Sequence, residues 1–261
     1  MSAEAFYLPH GDQFEATELT RGPWHKDLQH AGPPSALMAR AIEQQAGEMQ
    51  VVRLGIDLLK PVPITRLRVA VRELVGGKRR RILEAELRRA DDGQVLAVAR
   101  ALLLRQETIT LPEQPCHDPV LPCSVAESQP FEFGFFTADV GYHTAMELRL
   151  ASGGLGTGAS FMWMRSRVAL IAGESLSPLQ RVMLVADSGN GISLVLDPRE
   201  YAFTNPDLTV NLRREATGEW IGLDAMTHFQ GNGLGMAESR LWDPHGVIGN
   251  GTQNLLLQQQ G

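Results

Sequence analysis

A chain that carries one pattern twice has few ways to fold, and this sequence repeats itself. Residues 54–106, LGIDLLKPVPITRLRVAVRELVGGKRRRILEAELRRADDGQVLAVARALLLRQ, can be set above residues 208–259, LTVNLRREATGEWIGLDAMTHFQGNGLGMAESRLWDPHGVIGNGTQNLLLQQ. Asp57 then falls over Asn211, Lys60 over Arg214, and the turn ADDGQV (90–95) over WDPHGV (242–247), and both blocks end in an apolar run followed by Gln. Few residues are identical. The repeat lies in four strand-like runs whose turns coincide. Two covalently joined copies of one unit imply a pseudo-symmetric pair with a binding site at the seam between them.

The length of 261 residues accommodates either one large domain or two small domains that share an interface. A net charge of −6 argues against a nucleic-acid partner, because binding phosphates needs a basic face. The start of the chain, MSAEAFYLPHGDQFEATE, is acidic and lacks the apolar stretch of a secretory signal, and no apolar run reaches the roughly 18 residues of a membrane span. The only cysteines are Cys116 and Cys123, which suits a reducing cytoplasm better than a disulfide framework.

Gly32, Pro33 and Pro34 open a predicted helix in which Leu37, Met38, Ala41, Ile42 and Ala46 recur at helical spacing and Gly47 supplies a stop. Strands are expected at 51–60, 66–75, 80–90 and 95–105, with Gly76-Gly77 and Asp91-Asp92-Gly93 as hairpin turns. Residues 107–130, rich in proline, read as a linker draped over the surface between an N-terminal unit (1–106) and a C-terminal unit (131–261). The second unit opens with strands at 143–151 and 159–170 around the loop SGGLGTG. A helix follows at Ser177-Pro178 and runs toward Asp187; strands at 208–214, 220–230, 235–243 and 247–258 close the chain. Both helices are too apolar for a surface. Each unit therefore reads as an antiparallel sheet wrapped around one central helix, the hotdog arrangement, and the whole as an α+β double hotdog.

Loose motifs in a fixed order support this: GPWHKDLQHAGPPSALMARAIE and IDLLKPVP in the first unit, then SPLQRVMLVADSGNGIS, NPDLTVNLRR, GEWIGLDAMTH and GNGTQNLLLQ in the second. Along nearly its whole length the chain resembles the acyl-CoA thioesterase II type of double-hotdog protein. That resemblance implies an acyl-CoA substrate, hydrolysis by water held between an Asp, a Thr or Ser and a Gln, and no metal or bound cofactor. Asp207, which begins DLTVNLRR, matches the Asp, and Gln253 on the last strand matches the Gln. The hydroxyl position falls on Thr227 if a small bulge is allowed, and on His228 otherwise; a slip of one residue turns a strand side chain to the opposite face.

In that chemistry Asp207 accepts the proton of the water, Thr227 and Gln253 orient it, and amides at a helix entry receive the oxyanion. Gly32 is the candidate donor, since Pro33 and Pro34 have no N–H, and Trp24 could line the acyl pocket. Asp187, in ADSGNG, is a second carboxylate, readable as a helix-terminal residue or as part of the site. Asp57 reads as an inward-facing group bonded at the seam. Phe131, Phe133, Phe135 and Phe136 form core or a lid. Lys78 to Arg81 make a basic hairpin, solvated or in contact with coenzyme A phosphates. Cys116, Cys123 and His117 lack the spacing of a zinc site, SGGLGTG lacks the ending of a phosphate loop, and no G-x-S-x-G occurs. The alternatives are a non-catalytic acyl-binding protein on the same scaffold and an enoyl-thioester hydratase, whose Asp-x-x-x-x-His signature is missing from both helices. Exposed sheet edges suggest a homo-oligomer.

Overall fold

The computed structural model describes residues 4–112, 118–134, 136 and 138–259. The first half contains β1 (Ala5–His10), β2 (Gln13–Ala16), α1 (Gly32–Ala46), β3 (Met49–Leu58), β4 (Arg66–Val75), β5 (Arg80–Arg89) and β6 (Val95–Arg105). The second contains β7 (Gln129–Pro130), α2 (Tyr142–Ala145), β8 (Met146–Gly153), β9 (Ala159–Ser166), β10 (Ala169–Ile171), α3 (Pro178–Ala186), α4 (Gly189–Ile192), β11 (Tyr201–Thr204), β12 (Asp207–Leu212), β13 (Ile221–Phe229), β14 (Leu234–Asp243) and β15 (Gly246–Gln259). His143, expected to open a strand, lies in α2, and the strand expected at 159–170 divides into β9 and β10 where Ser166 Oγ bonds Val168 at both its N–H and its carbonyl.

Alternation explains the sheets. Along β6, Ala97, Ala99, Ala101 and Leu103 are all buried, while Arg100 between them is exposed. These small inward residues give a helix room to approach. α1 fills that space with Leu37, Met38 and Ile42 and packs against α3. Gly32 makes the approach possible, because a Cβ there would stand 2.4 Å from the carbonyl oxygen of Leu184. Ser177 caps α3 by accepting the Gln180 N–H at 3.1 Å, and Pro178 follows as the first helical residue.

The two units do not keep separate sheets. β3 and β12 pair antiparallel, with Asp207 opposite Asp57, Thr209 opposite Gly55 and Asn211 opposite Arg53. This joins the strands into one continuous sheet of 15 strands among the described residues. The repeat places Gly55 over Thr209, so the central pair of the seam is a residue facing its own counterpart, as a local twofold axis requires. β1 crosses over to pair in parallel with β10, so the amino-terminal strand also clasps the second half. The described residues of 107–128 form no helix or strand; Leu121, Cys123 and Val125 pack over Phe161, Trp163 and Trp242, and the Trp163 indole donates to the Cys123 carbonyl at 3.0 Å. Cys116, His117 and Phe135 lie outside the described residues.

Candidate active site

A cleft of about 540 Å³ opens where the two units meet. Trp24, Leu28, Leu58 and Val62 from the first half and Phe133, Phe136, Phe203 and Pro206 from the second form apolar walls. Trp24 stands edge-on to Phe203, ring centroids 4.9 Å apart, and is half exposed at the mouth. Within these walls lie His30, Asp187, Asn190, Asn205 and Gln253.

Asp187 is placed by an interruption. α3 ends at Ala186, Asp187 is its C-cap, and the chain resumes as α4 after Ser188. The carboxylate is buried, and a buried carboxylate needs partners. Its Oδ1 accepts from Asn205 Nδ2 at 2.7 Å and from Gln253 Nε2 at 3.2 Å; its Oδ2 is 3.1 Å from His30 Nδ1. Gln253 Nε2 also donates to the Asp187 main-chain carbonyl at 3.0 Å, and its Oε1 accepts the Asn190 N–H at 3.2 Å. Gly189 permits this: a Cβ there would lie 2.7 Å from Ser239 Oγ and 2.9 Å from Gln253 Oε1.

His30 enters from the first half, just before α1. Its ring stacks on Tyr142 with centroids 3.8 Å apart and planes 4° from parallel, and Tyr142 is itself fixed by donating to the Leu184 carbonyl at 2.7 Å. Burial pushes the His30 imidazole below its ordinary value, against an opposing pull from Asp187, so the ring is neutral at pH 7. Burial likewise raises the Tyr142 phenol.

The structure brings Gln253 to this cleft but not Asp207. Leu208 and Val210 take the inward positions of β12, which turns Asp207 to the outer face. There its Oδ1 accepts the Asn254 N–H at 2.7 Å and its Oδ2 accepts from Asn254 Nδ2 at 2.9 Å. Asn254 follows Gln253 on β15, so Asp207 and Gln253 point to opposite faces of the sheet. Asp187 is the carboxylate that meets Gln253. Asp57, read as inward-facing, is exposed on the outer face opposite Asp207.

Thr227 and His228 separate in the same way. β13 pairs residue for residue with β14 and β9, so the expected bulge is absent; Thr227 is buried and His228 exposed. Thr227 Oγ1 lies 2.7 Å from Ser193 Oγ. Ser193 donates its own hydrogen to the Gly189 carbonyl at 2.8 Å, so the Thr227 hydroxyl donates to Ser193. Thr227 thus braces α4 from beneath and does not line the cleft. The Gly32 N–H, the expected oxyanion donor, points to His30 Nδ1 at 3.0 Å. Lys78 to Arg81 are not among the cleft residues, and Arg81 instead caps the end of α1 by donating to the Gln45 carbonyl at 2.6 Å. No group of three His, Cys, Asp or Glu suited to a metal occurs among the described residues, and none of their helices is long and apolar enough to cross a membrane.

Sequence reasoning missed His30, Asn190 and Asn205. The readable signals were a histidine directly before a helix entry and an Asn-Pro turn facing the end of the other helix.

The profile of the acyl-CoA thioesterase C-terminal domain matches residues 121–257, and that of the N-terminal domain matches residues 20–106. The chain belongs to the acyl-CoA thioesterase family. Comparison with curated proteins gives no match. Among solved structures, a hot dog protein of unknown function from Alicyclobacillus acidocaldarius superposes with a TM-score of 0.72 at 14% identity, covering 98% of this chain and 96% of that one. An acyl-CoA thioesterase II, TesB2, from Mycobacterium marinum gives 0.62 at 14% identity, with coverages of 97% and 94%. A TesB protein of Mycobacterium avium subsp. paratuberculosis gives 0.65 at 13% identity, with coverages of 94% and 92%. These identities speak to the fold, which is the double hotdog expected from the repeat.

Proposed function

We propose that this member of the family hydrolyses acyl-CoA thioesters with a water activated by Asp187. The observation that carries the reading is a buried carboxylate bonded by Asn205 and Gln253, with His30 Nδ1 3.1 Å from its other oxygen, inside an apolar-walled cleft. A site that only bound acyl chains would gain nothing from burying that charge.

Asp187 Oδ1 already accepts two donors, so Oδ2 is the oxygen with capacity for a water. That water attacks the thioester carbonyl while its proton passes to Asp187; the tetrahedral adduct then expels the coenzyme A sulfur, which takes the proton up. Gln253 fixes the carboxylate and the start of α4. The apolar walls take the acyl group, and Lys60 and His25 at the mouth suit the phosphates of coenzyme A.

Steady-state release of free thiol from acetyl-, hexanoyl- and palmitoyl-CoA tests this. Asp187→Asn should lower kcat by about 10³-fold and Gln253→Ala by about 10²-fold, in the range of lost general-base catalysis. Wild-type kcat/KM in Asp187→Asn would remove the assignment.

A further inference from the structure

We infer that the side-chain amide of Asn190 is a catalytic group of this site, donating from Nδ2 to the thioester oxygen as negative charge builds on it. The inference deepens the proposed function and rests on hydrolysis taking place in this cleft.

A carbonyl attacked by water needs a donor for its oxygen, and several donors around the cleft are already spent on the protein itself. Gln253 Nε2 gives to Asp187 twice, at the main-chain carbonyl and at Oδ1. Gln29 Nε2 gives to the Pro63 carbonyl at 2.7 Å, and the Tyr142 hydroxyl gives to the Leu184 carbonyl. The Gly32 N–H, the helix-entry donor expected from the sequence, goes to His30 Nδ1.

Asn190 differs from these. It lines the cleft and is only 7% exposed. Its main-chain N–H is bonded to Gln253 Oε1, but its carboxamide makes no hydrogen bond among the described residues. Oδ1 is enclosed and unpartnered, whereas Nδ2 is not enclosed, so Nδ2 is the end of the amide that reaches the cleft. A buried polar group without a partner opposes folding, and native proteins seldom keep one. An amide that carries two hydrogens and gives neither to the protein suits a charge that exists only during the reaction.

Gln253 ties this donor to the base. Its Nε2 holds the Asp187 carboxylate and its Oε1 holds the Asn190 main chain, so one side chain fixes both groups across the break between α3 and α4. In the reaction the water oxygen bonds to the carbonyl carbon while its proton passes to Asp187. The carbonyl π pair moves onto the oxygen, where the Asn190 N–H stabilises it. That pair then returns, the C–S bond breaks, and the sulfur takes the proton from Asp187.

Asn190→Ala removes the donor, and Asn190→Asp keeps the shape while replacing the donor with an acceptor. With the best-used acyl-CoA of the three, each should lower kcat by about 10²- to 10³-fold with KM changed less than about threefold, as for loss of one oxyanion donor. The Tm of Asn190→Ala should stay level or rise, because an unpartnered buried oxygen leaves with the side chain; a purely bracing role would lower it. A second readout involves no turnover. A hexanoyl-CoA analogue with a methylene in place of the sulfur and ¹³C at the carbonyl is bound to the full-length protein. Its infrared carbonyl band should lie at lower frequency in the wild type than in Asn190→Ala. Wild-type kcat in Asn190→Ala, or one band frequency in both proteins, would overturn the inference. So would a band moved by His30→Phe and not by Asn190→Ala, which would give the oxygen to the ring: with Nδ1 accepting from Gly32, the neutral imidazole carries its hydrogen on Nε2. Should Asn190→Ala fail to fold, Asn190→Asp decides by the same kcat and band. Unimpaired turnover in Asp187→Asn would instead defeat the proposed function, and the band would still report on Asn190.

Discussion

The two halves of this chain share a plan, and they differ at the cleft where the reaction is proposed. In the first half α1 runs unbroken for 15 residues, buried from Gly32 to Ala39. In the second, α3 stops after 9 residues and the chain resumes as the 4-residue α4. Asp187 sits in that interruption. The sheets differ at the matching point. Gly55 pairs with Arg100 in the first half as Thr209 pairs with Thr252 in the second, so Ala101 is the counterpart of Gln253. Ala101 is fully buried and apolar, and its partner on β5 is Leu83; Gln253 is equally enclosed but wholly engaged in hydrogen bonds to Asp187 and Asn190. One copy of the repeat is optimised as core. The other gives up helix length and apolar contacts to hold a carboxylate in a cleft.

The sharpest way to break the comparison is to fill the gap in the second half. Gly189→Ala puts a methyl 2.7 Å from Ser239 Oγ and 2.9 Å from Gln253 Oε1, a separation that real Cβ atoms do not sustain, so Gln253 must shift. The expected loss in kcat for acyl-CoA hydrolysis is about 10²-fold, equivalent to about 2.7 kcal/mol of transition-state stabilisation. Unchanged kcat would show that Gln253 has slack and that the interruption is not tuned to it. The reciprocal change, Ala101→Gln, gives the first half the second half's amide without its partners. Urea unfolding should show a loss of about 2 kcal/mol, from an unsatisfied buried amide and overpacking, with no gain in activity.

A milder test lies beneath α4. Thr227→Val keeps the shape of the side chain and removes the hydroxyl that donates to Ser193. Unfolding free energy should fall by about 1 kcal/mol, and kcat by less than about tenfold, because Thr227 acts on the site through Ser193 and Gly189. A loss of about 10³-fold in kcat would instead mean that Thr227 contacts the reacting water directly.

Much of this was legible in the sequence, for definable reasons. The repeat, the strands from β3 to β6 and from β12 to β15, and the two apolar helices follow from period and turn chemistry, which are local. Gln253 was matched through the resemblance of the last strand, GNGTQNLLLQ, to the thioesterase II type. Asp207 was matched in the same way from DLTVNLRR, and the structure turns it to the outer face of the sheet. Asp207 and Asp187 both precede or follow a plausible turn, and choosing between them depends on which face of β12 meets the core, a matter decided by pairing with β3 some 150 positions away in sequence. His30 carried only the weak signal of a histidine ahead of a helix entry. Its place in the cleft depends on Tyr142 and Asp187, both far away in sequence, and Tyr142 opens a short helix that runs into a stretch expected to be strand.

The smallest expected effect is the most discriminating control. Asp207→Asn acts on the carboxylate that motif matching selects and leaves untouched the one that geometry selects. Asp207 stands directly across the seam from Asp57 on the exposed face, and like charges opposite one another on paired strands are unfavourable. Neutralising one of them relieves repulsion. The same change weakens the hydrogen bonds that Asp207 accepts from the Asn254 N–H and amide. The two effects are of similar size and opposite sign, so unfolding free energy should change by less than about 0.5 kcal/mol, as for surface substitutions in general. Turnover should match the wild type, since the side chain points away from Gln253 and is not part of the cleft. A folded Asp207→Asn protein without activity would place the reaction on the outer face of the seam, where the two halves are most alike, and the asymmetry of the helices would lose its functional meaning.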